Sequence, residues 1–246
     1  MSGVNQQFLP AALLALGLTA GGWLAGNGLA RGRAADRYVT VKGVTEREVR
    51  ADVAIWPIHV VAADNDLNAA HARLERSIAG VRQFLARQAL DTSQISLQGF
   101  SVSDAQANEY GGAERSRPNR YVIKETVLLR SAEPEKVLAA SQRVGELASA
   151  GVALSSGAEY GQGGPTFIFT GLNKLKPQMI AEATARAREA ADQFARDSRS
   201  SLGGIRQASQ GVFEILPRDE APGLTEGSQV AKRVRVVSTV DYFLRD

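Results

Sequence analysis

Residues 38–61 read YVTVKGVTEREVRADVAIWPIHVV, and the spacing within this stretch decides the fold class. Val39 and Val41 alternate with Thr40 and Lys42, and apolar positions resume at Val49 and Val53. A period of two with many β-branched residues predicts two strands joined by a turn. Gly43 interrupts the first strand, which predicts a bulge or the close approach of another backbone. Pro57 has no N–H to donate to a ladder, so the second strand is expected at a sheet edge or bulged there.

Toward the C-terminus the period changes. Asp64 or Asn65 stands where a helix cap is needed, and Leu67, Ala70, Leu74, Ile78, Val81 and Leu85 then recur at three and four. Arg73, Arg76, Arg82 and Arg87 occupy the opposite, solvated face. A strand is predicted from Ile95 to Asp104, then a polar loop with Gly111, Gly112 and Pro118, then a strand from Arg120 to Arg130. Pro134 suits the first turn of a helix whose apolar side is Val137, Leu138, Val144, Leu147 and Ala148, and Gly151 ends it.

Strand signals are weak over Val152 to Tyr160 and stronger over Thr166 to Phe169. From Pro177 to Ser200 a helix is predicted, with Ile180, Ala183, Ala187, Ala190 and Phe194 as a narrow seam. Small alanines in such a seam imply a closely approaching backbone. The chain closes with GVFEIL at Gly211 to Leu216, a loop with Pro217, Pro222, Gly223 and Gly227, and a strand from Lys232 to Asp246. Without a regular βαβ repeat, residues 36–246 are expected to form an α+β body, a mostly antiparallel sheet with helices packed on one side.

Residues 1–35 are different in kind. From Phe8 to Ala30 the chain carries no charged side chain, and Leu, Ala and Gly run all the way round a helical projection. A helix of that length reaches about 34 Å, enough for a hydrocarbon core of about 30 Å. The segment is read as a transmembrane signal anchor, with a cleaved signal peptide as the alternative because Gly28 and Ala30 supply a small-x-small pattern. Arg31, Arg33 and Arg37 follow the span and no basic residue precedes it, which by the positive-inside rule alone would leave the body in the cytoplasm.

Composition excludes disorder: 44% of residues are hydrophobic and 22% charged. The net charge is only +3, and the basic residues are interleaved with acids, so no nucleic-acid footprint is present. The chain has no cysteine, so no disulfide and no soft-metal site is available to it.

Chemistry is sparse. Of the two histidines, His59 reads as a structural imidazole within a strand, and His71 with Glu75 forms an i, i+4 pair that lacks a third metal ligand. No G-x-S-x-G elbow occurs. The stretch GQGGPTF, Gly161 to Phe167, lacks the G-K-[ST] ending of a phosphate loop and reads as a turn. Glu46 with Glu48, and Asp219 with Glu220, are acidic pairs beside arginines and read as solvated faces. The densest basic cluster, Arg115, Arg117 and Arg120, is the one candidate for binding an anion or the acidic edge of a partner. No catalytic, cofactor or metal residue is assigned.

Several of these stretches, taken in order, resemble the SIMPL domain, also called the DUF541 family. Tyr38-Val-Thr-Val-Lys-Gly43 followed by Glu46 to Ala54 is similar to the family's opening strands, where an alternating strand reaches a Gly and a second begins at an Asp followed by Ala two residues on. Gln98-Gly-Phe100-Ser-Val-Ser-Asp104 resembles its central strand, and Tyr121 to Ser131 its Tyr-led strand. Ala181 to Ala195 resembles its alanine-rich helix, and Leu202-Gly203 the Leu-Gly that follows. Many relatives carry a Pro just before the Asp, where this chain has Arg50-Ala51.

The resemblance implies an exported bacterial envelope protein, α+β in fold, with a tendency to self-associate and no established catalytic residues. It therefore outweighs the flanking charge and implies a periplasmic body tethered to the inner membrane through residues 8–30, or released into the periplasm if the segment is cleaved. The expected function is non-enzymatic: self-association as a homo-oligomer or binding of envelope components, in envelope stress protection among other roles, with strand edges at Val53 to Val61 and in the closing strand as candidate surfaces. The alternative is an envelope hydrolase or small-ligand enzyme using Glu46, Glu48 or Asp52 in a cleft.

Overall fold

The computed structural model describes residues 14–27, 37–107, 118–155 and 164–245. They form an α+β fold with two four-stranded antiparallel sheets rather than one. The strands are β1 (Tyr38–Arg50), β2 (Val53–Asp64), β3 (Ile95–Asp104), β4 (Tyr121–Ser131), β5 (Thr166–Ile168), β6 (Ser201–Gln210), β7 (Glu214–Pro217) and β8 (Ala231–Arg245). The helices are α1 (residues 14–27), α2 (Leu67–Arg87), α3 (Pro134–Gln142), α4 (Gly145–Ser149) and α5 (Leu172–Asp197). One sheet has the order β1-β8-β6 with β7 also pairing β8, and the other the order β3-β4-β2-β5.

The chain forms two compact units. Unit 1 comprises residues 1–45, 177–213 and 236–246, and unit 2 residues 46–176 and 214–235. The predicted pair β1 and β2 is therefore no hairpin. The short link at Ala51 and Asp52 delivers them to different sheets, and its N–H groups donate to the Val230 and Ile168 carbonyls.

In unit 1, Val39, Val41, Gly43 and Thr45 of β1 and Val236, Ser238, Val240 and Tyr242 of β8 are buried on one face. Helix α5 lies against Gly43, burying Met179, Ala183, Ala187, Ala191 and Ala195. The seam predicted through Ala190 and Phe194 is rotated by about one residue, and Phe194 is half exposed. A strict i+4 row of small side chains lets the helix backbone come closest, and a phenylalanine has no room in that row.

Strand β6 had no sequence signal. Its residues are mostly exposed and Gly203-Gly204 breaks the alternation, so pairing with β8, not burial, makes it a strand. A Cβ at Gly203 would lie 2.9 Å from the Phe243 carbonyl oxygen. Residues 14–27 form a helix with Leu14, Leu16, Leu18, Trp23 and Leu24 all exposed. No helix among the described residues is long and apolar enough to cross a membrane. Residues 8–13 and 28–30 of the expected span lie outside the described residues.

In unit 2, α2 covers one face of the β3-β4-β2-β5 sheet. Its buried row Ala70, Leu74, Ile78, Val81, Phe84 and Leu85 shares a core with Ala54, Trp56, Ile58 and Val60 of β2 and Ile123, Val127 and Leu129 of β4. Trp56 meets Phe84 edge to face at 6.4 Å between centroids. The cap is Asp66, which accepts from Ala69 N at 2.8 Å, rather than Asp64 or Asn65. Asp64 instead accepts from the N–H groups of Asn65 and Asp66 and pairs with Arg73, holding the turn before the helix.

Two strands expected as edges lie inside their sheets. β8 is flanked by β1 and β6, and β2 by β4 and β5. Pro57 is tolerated because β5 pairs only with Val53–Ile55. Val61 N donates to Ala153 O and His59 O accepts from Ser155 N, so odd-numbered residues of β2 direct their backbone groups away from β4. The missing N–H of Pro57 thus falls in the gap between β5 and the isolated Val60 to Leu154 bridge.

Helix α5 begins at Leu172, five residues before the predicted start, and takes Pro177 into its second turn. The predicted α3 helix is broken into α3 and α4, and Gly151, at φ +83°, ends the second as expected. Residues 156–163, with the first three positions of the Gly-rich stretch, lie outside the described residues, and its last two, Thr166 and Phe167, belong to β5.

Candidate functional site

A concave surface that combines apolar and charged side chains lies between α2 and β3. Its origin is a one-residue irregularity. Leu97 and Phe100 are three apart in sequence, Phe100 and Val102 two apart, and no regular strand places all three on one face. Gly99 adopts φ +65°, and between Gln98 paired with Thr126 and Ser101 paired with Lys124 the residues Gly99 and Phe100 stand opposite the single Glu125. This is a bulge with glycine in the left-handed position.

The bulge has two results. Leu97 stands opposite Val127 and Val102 opposite Ile123, both fully buried on the α2 side, so Leu97, Phe100 and Val102 all turn to that side. Helix α2, however, packs mainly on β2 and β4 and leaves β3 largely uncovered. Leu97, Phe100 and Val102 are accordingly 42, 53 and 46% exposed. β3 is also the terminal strand of its sheet, so among the described residues its outer edge has no partner strand.

The resulting groove, about 490 Å³, has an apolar floor of Leu74, Ile78, Leu97 and Phe100 and a polar wall of His71, Glu75, Arg82 and Glu125. His71 meets Phe100 edge to face, with ring centroids 6.5 Å apart. Its Nδ1 is 3.9 Å from Glu75 Oε1, a long, solvated contact worth little. Glu125 falls between Ile123 and Val127 on the core-facing side of β4 and is half buried. A sequence signal for the groove existed in the broken alternation of LQGFSV, but which strand would lie outermost was not readable.

The residues singled out from sequence are placed as follows. Arg115 and Arg117 lie outside the described residues. Arg120 directs Nε and Nη2 onto the Asp104 carboxylate at 3.1 and 3.0 Å, and its guanidinium stands 4.7 Å from the Tyr121 ring centroid. Its N–H donates to Asn65 Oδ1 at 3.0 Å, so the residue ties the ends of β3 and β4 to the start of α2. Hydrogen bonding from Arg120 and from the Gln106 N–H holds the Asp104 carboxyl below its ordinary range, against the opposing effect of desolvation.

The acidic candidates do not converge on one cleft. Glu46 lies 3.6 Å from Arg233 and 3.5 Å from Arg235 on an exposed strand. Asp52 accepts from Thr170 N at 2.9 Å and Thr170 Oγ1 at 2.8 Å, a turn-closing role. Asp219 pairs with its neighbour Arg218. His59 Nδ1 is 2.9 Å from Thr126 Oγ1 across the ladder, on the sheet face away from α2. Among the described residues no three His, Asp or Glu are grouped to hold a metal.

One buried group had no sequence signal. Lys232, fully enclosed at the start of β8, donates to the Glu226 carbonyl at 2.5 Å and pairs with the Glu226 carboxylate.

No curated protein matches the chain. Among solved structures, an uncharacterized conserved protein from Listeria innocua is similar over 78% of this chain and 91% of its own, at 10% identity and a TM-score of 0.21. The model of one family, described as SIMPL, protein of unknown function (DUF541), matches residues 39–240 and so spans both sheets. The chain belongs to the SIMPL (DUF541) family.

Proposed function

We propose that this protein is a non-enzymatic, membrane-tethered binding protein of the bacterial envelope, and that it docks its partners on the outer edge of β3 and the groove beside it. The observation that carries this reading is the coincidence, on one strand, of an edge unpaired among the described residues with three exposed apolar side chains, Leu97, Phe100 and Val102. An open edge supplies main-chain hydrogen bonds to an added strand, and the apolar row supplies burial. Natural edges are usually blunted by charge or proline, and this face carries neither at those three positions.

The tether reading draws on residues 8–30. Within them residues 14–27 form a helix whose leucines and Trp23 are exposed on every side. An apolar surface without a protein cover suits a lipid environment. With that segment as signal anchor, the body lies in the periplasm, and self-association or capture of another envelope component both use the same strand edge.

The test combines topology and contact. In intact cells a photo-crosslinker at Val102 is expected to yield adducts, and one at the exposed Glu48 none. Protease should reach the body once the outer membrane is opened. Digestion only after the inner membrane is breached would overturn the topology, and equal adducts from both positions would overturn the docking surface.

A further inference from the structure

We infer that the groove beside β3 accepts a basic side chain, Lys or Arg, carried by an extended segment of a partner polypeptide that adds to the β3 edge. This rests on the docking reading above and deepens it by naming the chemistry of the occupant.

Charge placement carries the inference. Glu125 occupies a position in the β4 row Ile123, Glu125, Val127, Leu129, whose other members are fully buried. It lies opposite the bulge, lines the groove with Phe100, and makes no hydrogen bond or ion pair among the described residues. Glu125 thus presents a partly buried carboxylate to the groove, on an otherwise apolar row, with no donor opposite it among the described residues. A cation delivered into the groove supplies that donor.

Glu75 stands one turn along α2 from His71, the residue in contact with Phe100, so a second carboxylate borders the same end of the groove. Arg82 lies seven positions further on, about 10 Å along the helix axis. The end of the groove around Phe100 is thus aromatic and acidic. An aliphatic stem laid on Leu97 and Phe100 with its charged head between Glu75 and Glu125 matches that pattern, through apolar contact, cation–π attraction and charge-assisted hydrogen bonding.

The edge decides the form in which that side chain arrives. Among the described residues the outer edge of β3 has no partner for its backbone donors and acceptors, and alternate side chains of a strand paired there fall on the α2 side. A segment with a basic residue flanked by β-branched residues satisfies both features together.

The experiment uses the full chain in detergent micelles and three short capped peptides of alternating Thr and Val with Lys, Glu or norleucine at the centre. Binding is read by calorimetry. The Lys peptide should bind roughly tenfold or more tighter than the Glu peptide, since one charged contact of about 1.4 kcal/mol corresponds to that factor. Glu125→Lys should invert the order, Glu125→Gln should level it, and circular dichroism checks that both variants are folded.

Backbone N-methylation on one edge of the Lys peptide should abolish binding. Equal binding of all three peptides, with loss on N-methylation, overturns the charge inference and leaves edge docking standing. Undiminished binding of the N-methylated Lys peptide overturns strand addition. Failure of every peptide to bind the wild-type chain, or a second copy of the chain that occupies the edge and that no peptide displaces, overturns the inference as a whole.

Discussion

Gly43 of β1 and Ala183 of α5 are packed backbone to backbone. A Cβ placed on Gly43 would overlap the Ala183 carbonyl oxygen and lie 2.6 Å from Ala187 N. Because both obstructing atoms belong to the hydrogen-bonded frame of a helix, neither can rotate aside. Gly43→Ala is therefore expected to cost about 3 kcal/mol, at the upper end for overpacking. Urea denaturation with an unchanged m-value and a lowered midpoint checks this, and an unchanged midpoint would show that the helix does not sit there.

Two residues from Gly43, Thr45 is fully buried and its hydroxyl has no hydrogen-bond partner among the described residues. A threonine and a valine have nearly the same shape, so replacement removes an unsatisfied donor without opening a cavity. Thr45→Val should raise stability by about 1 kcal/mol. The same denaturation series, run beside Thr45→Ser, separates the hydroxyl effect from the loss of the methyl.

Lys232 and Glu226 should respond asymmetrically. The lysine side chain is fully buried, whereas Glu226 is 38% exposed. Glu226→Ala strands a buried ammonium and is expected to cost about 3 kcal/mol. Lys232→Met leaves a carboxylate that water can reach and should cost only about 1 kcal/mol. In the double variant Lys232→Met/Glu226→Ala the cost should match that of Lys232→Met alone, a non-additivity that a double-mutant cycle measures directly.

Acid should loosen the β3–β4 end of unit 2. The Asp104 carboxyl is held below its ordinary range by Arg120 and the Gln106 N–H, so its native contribution is present in full above the unfolded value, about pH 4, and is lost as pH falls through the depressed native value. Asp64 and Asp91 are lowered as well, chiefly by local hydrogen bonds at the helix and turn starts. The unfolding midpoint should be nearly flat from pH 8 to 5 and fall below about pH 4. Asp104→Asn should lower the plateau and shallow the fall, leaving the remaining slope to the other carboxylates.

Period and punctuation were legible because they are local. The alternation of Val39 and Val41, the three-four spacing from Ala70 to Leu85 and the stop at Gly151 each follow from short-range geometry, and each stands where expected. Gly43 and the alanines of α5 announced a close approach, which the structure shows between them. The face of α5 was misjudged by about one residue because hydrophobicity alone favoured Phe194 over Ala195, whereas the tight contact selects size.

The candidate site was legible only in fragments. Gly99, the uneven spacing of Leu97, Phe100 and Val102, and the carboxylate of Glu125 in the row Ile123, Val127 and Leu129 are all present in the sequence as separate local irregularities. What makes them a groove is that α2 covers β2 and β4 but stops short of β3, and that depends on strand order.

By itself, then, the chain determined its class, its family and its apolar N-terminal segment, since these rest on composition, period and the order of short motifs. Tertiary structure decided which strands are edges, which carboxylates are paired and which lysine is enclosed. Those outcomes depend on contacts between residues far apart in sequence, such as Arg50 with Glu135 or Asp52 with Thr170, and no local pattern encodes them.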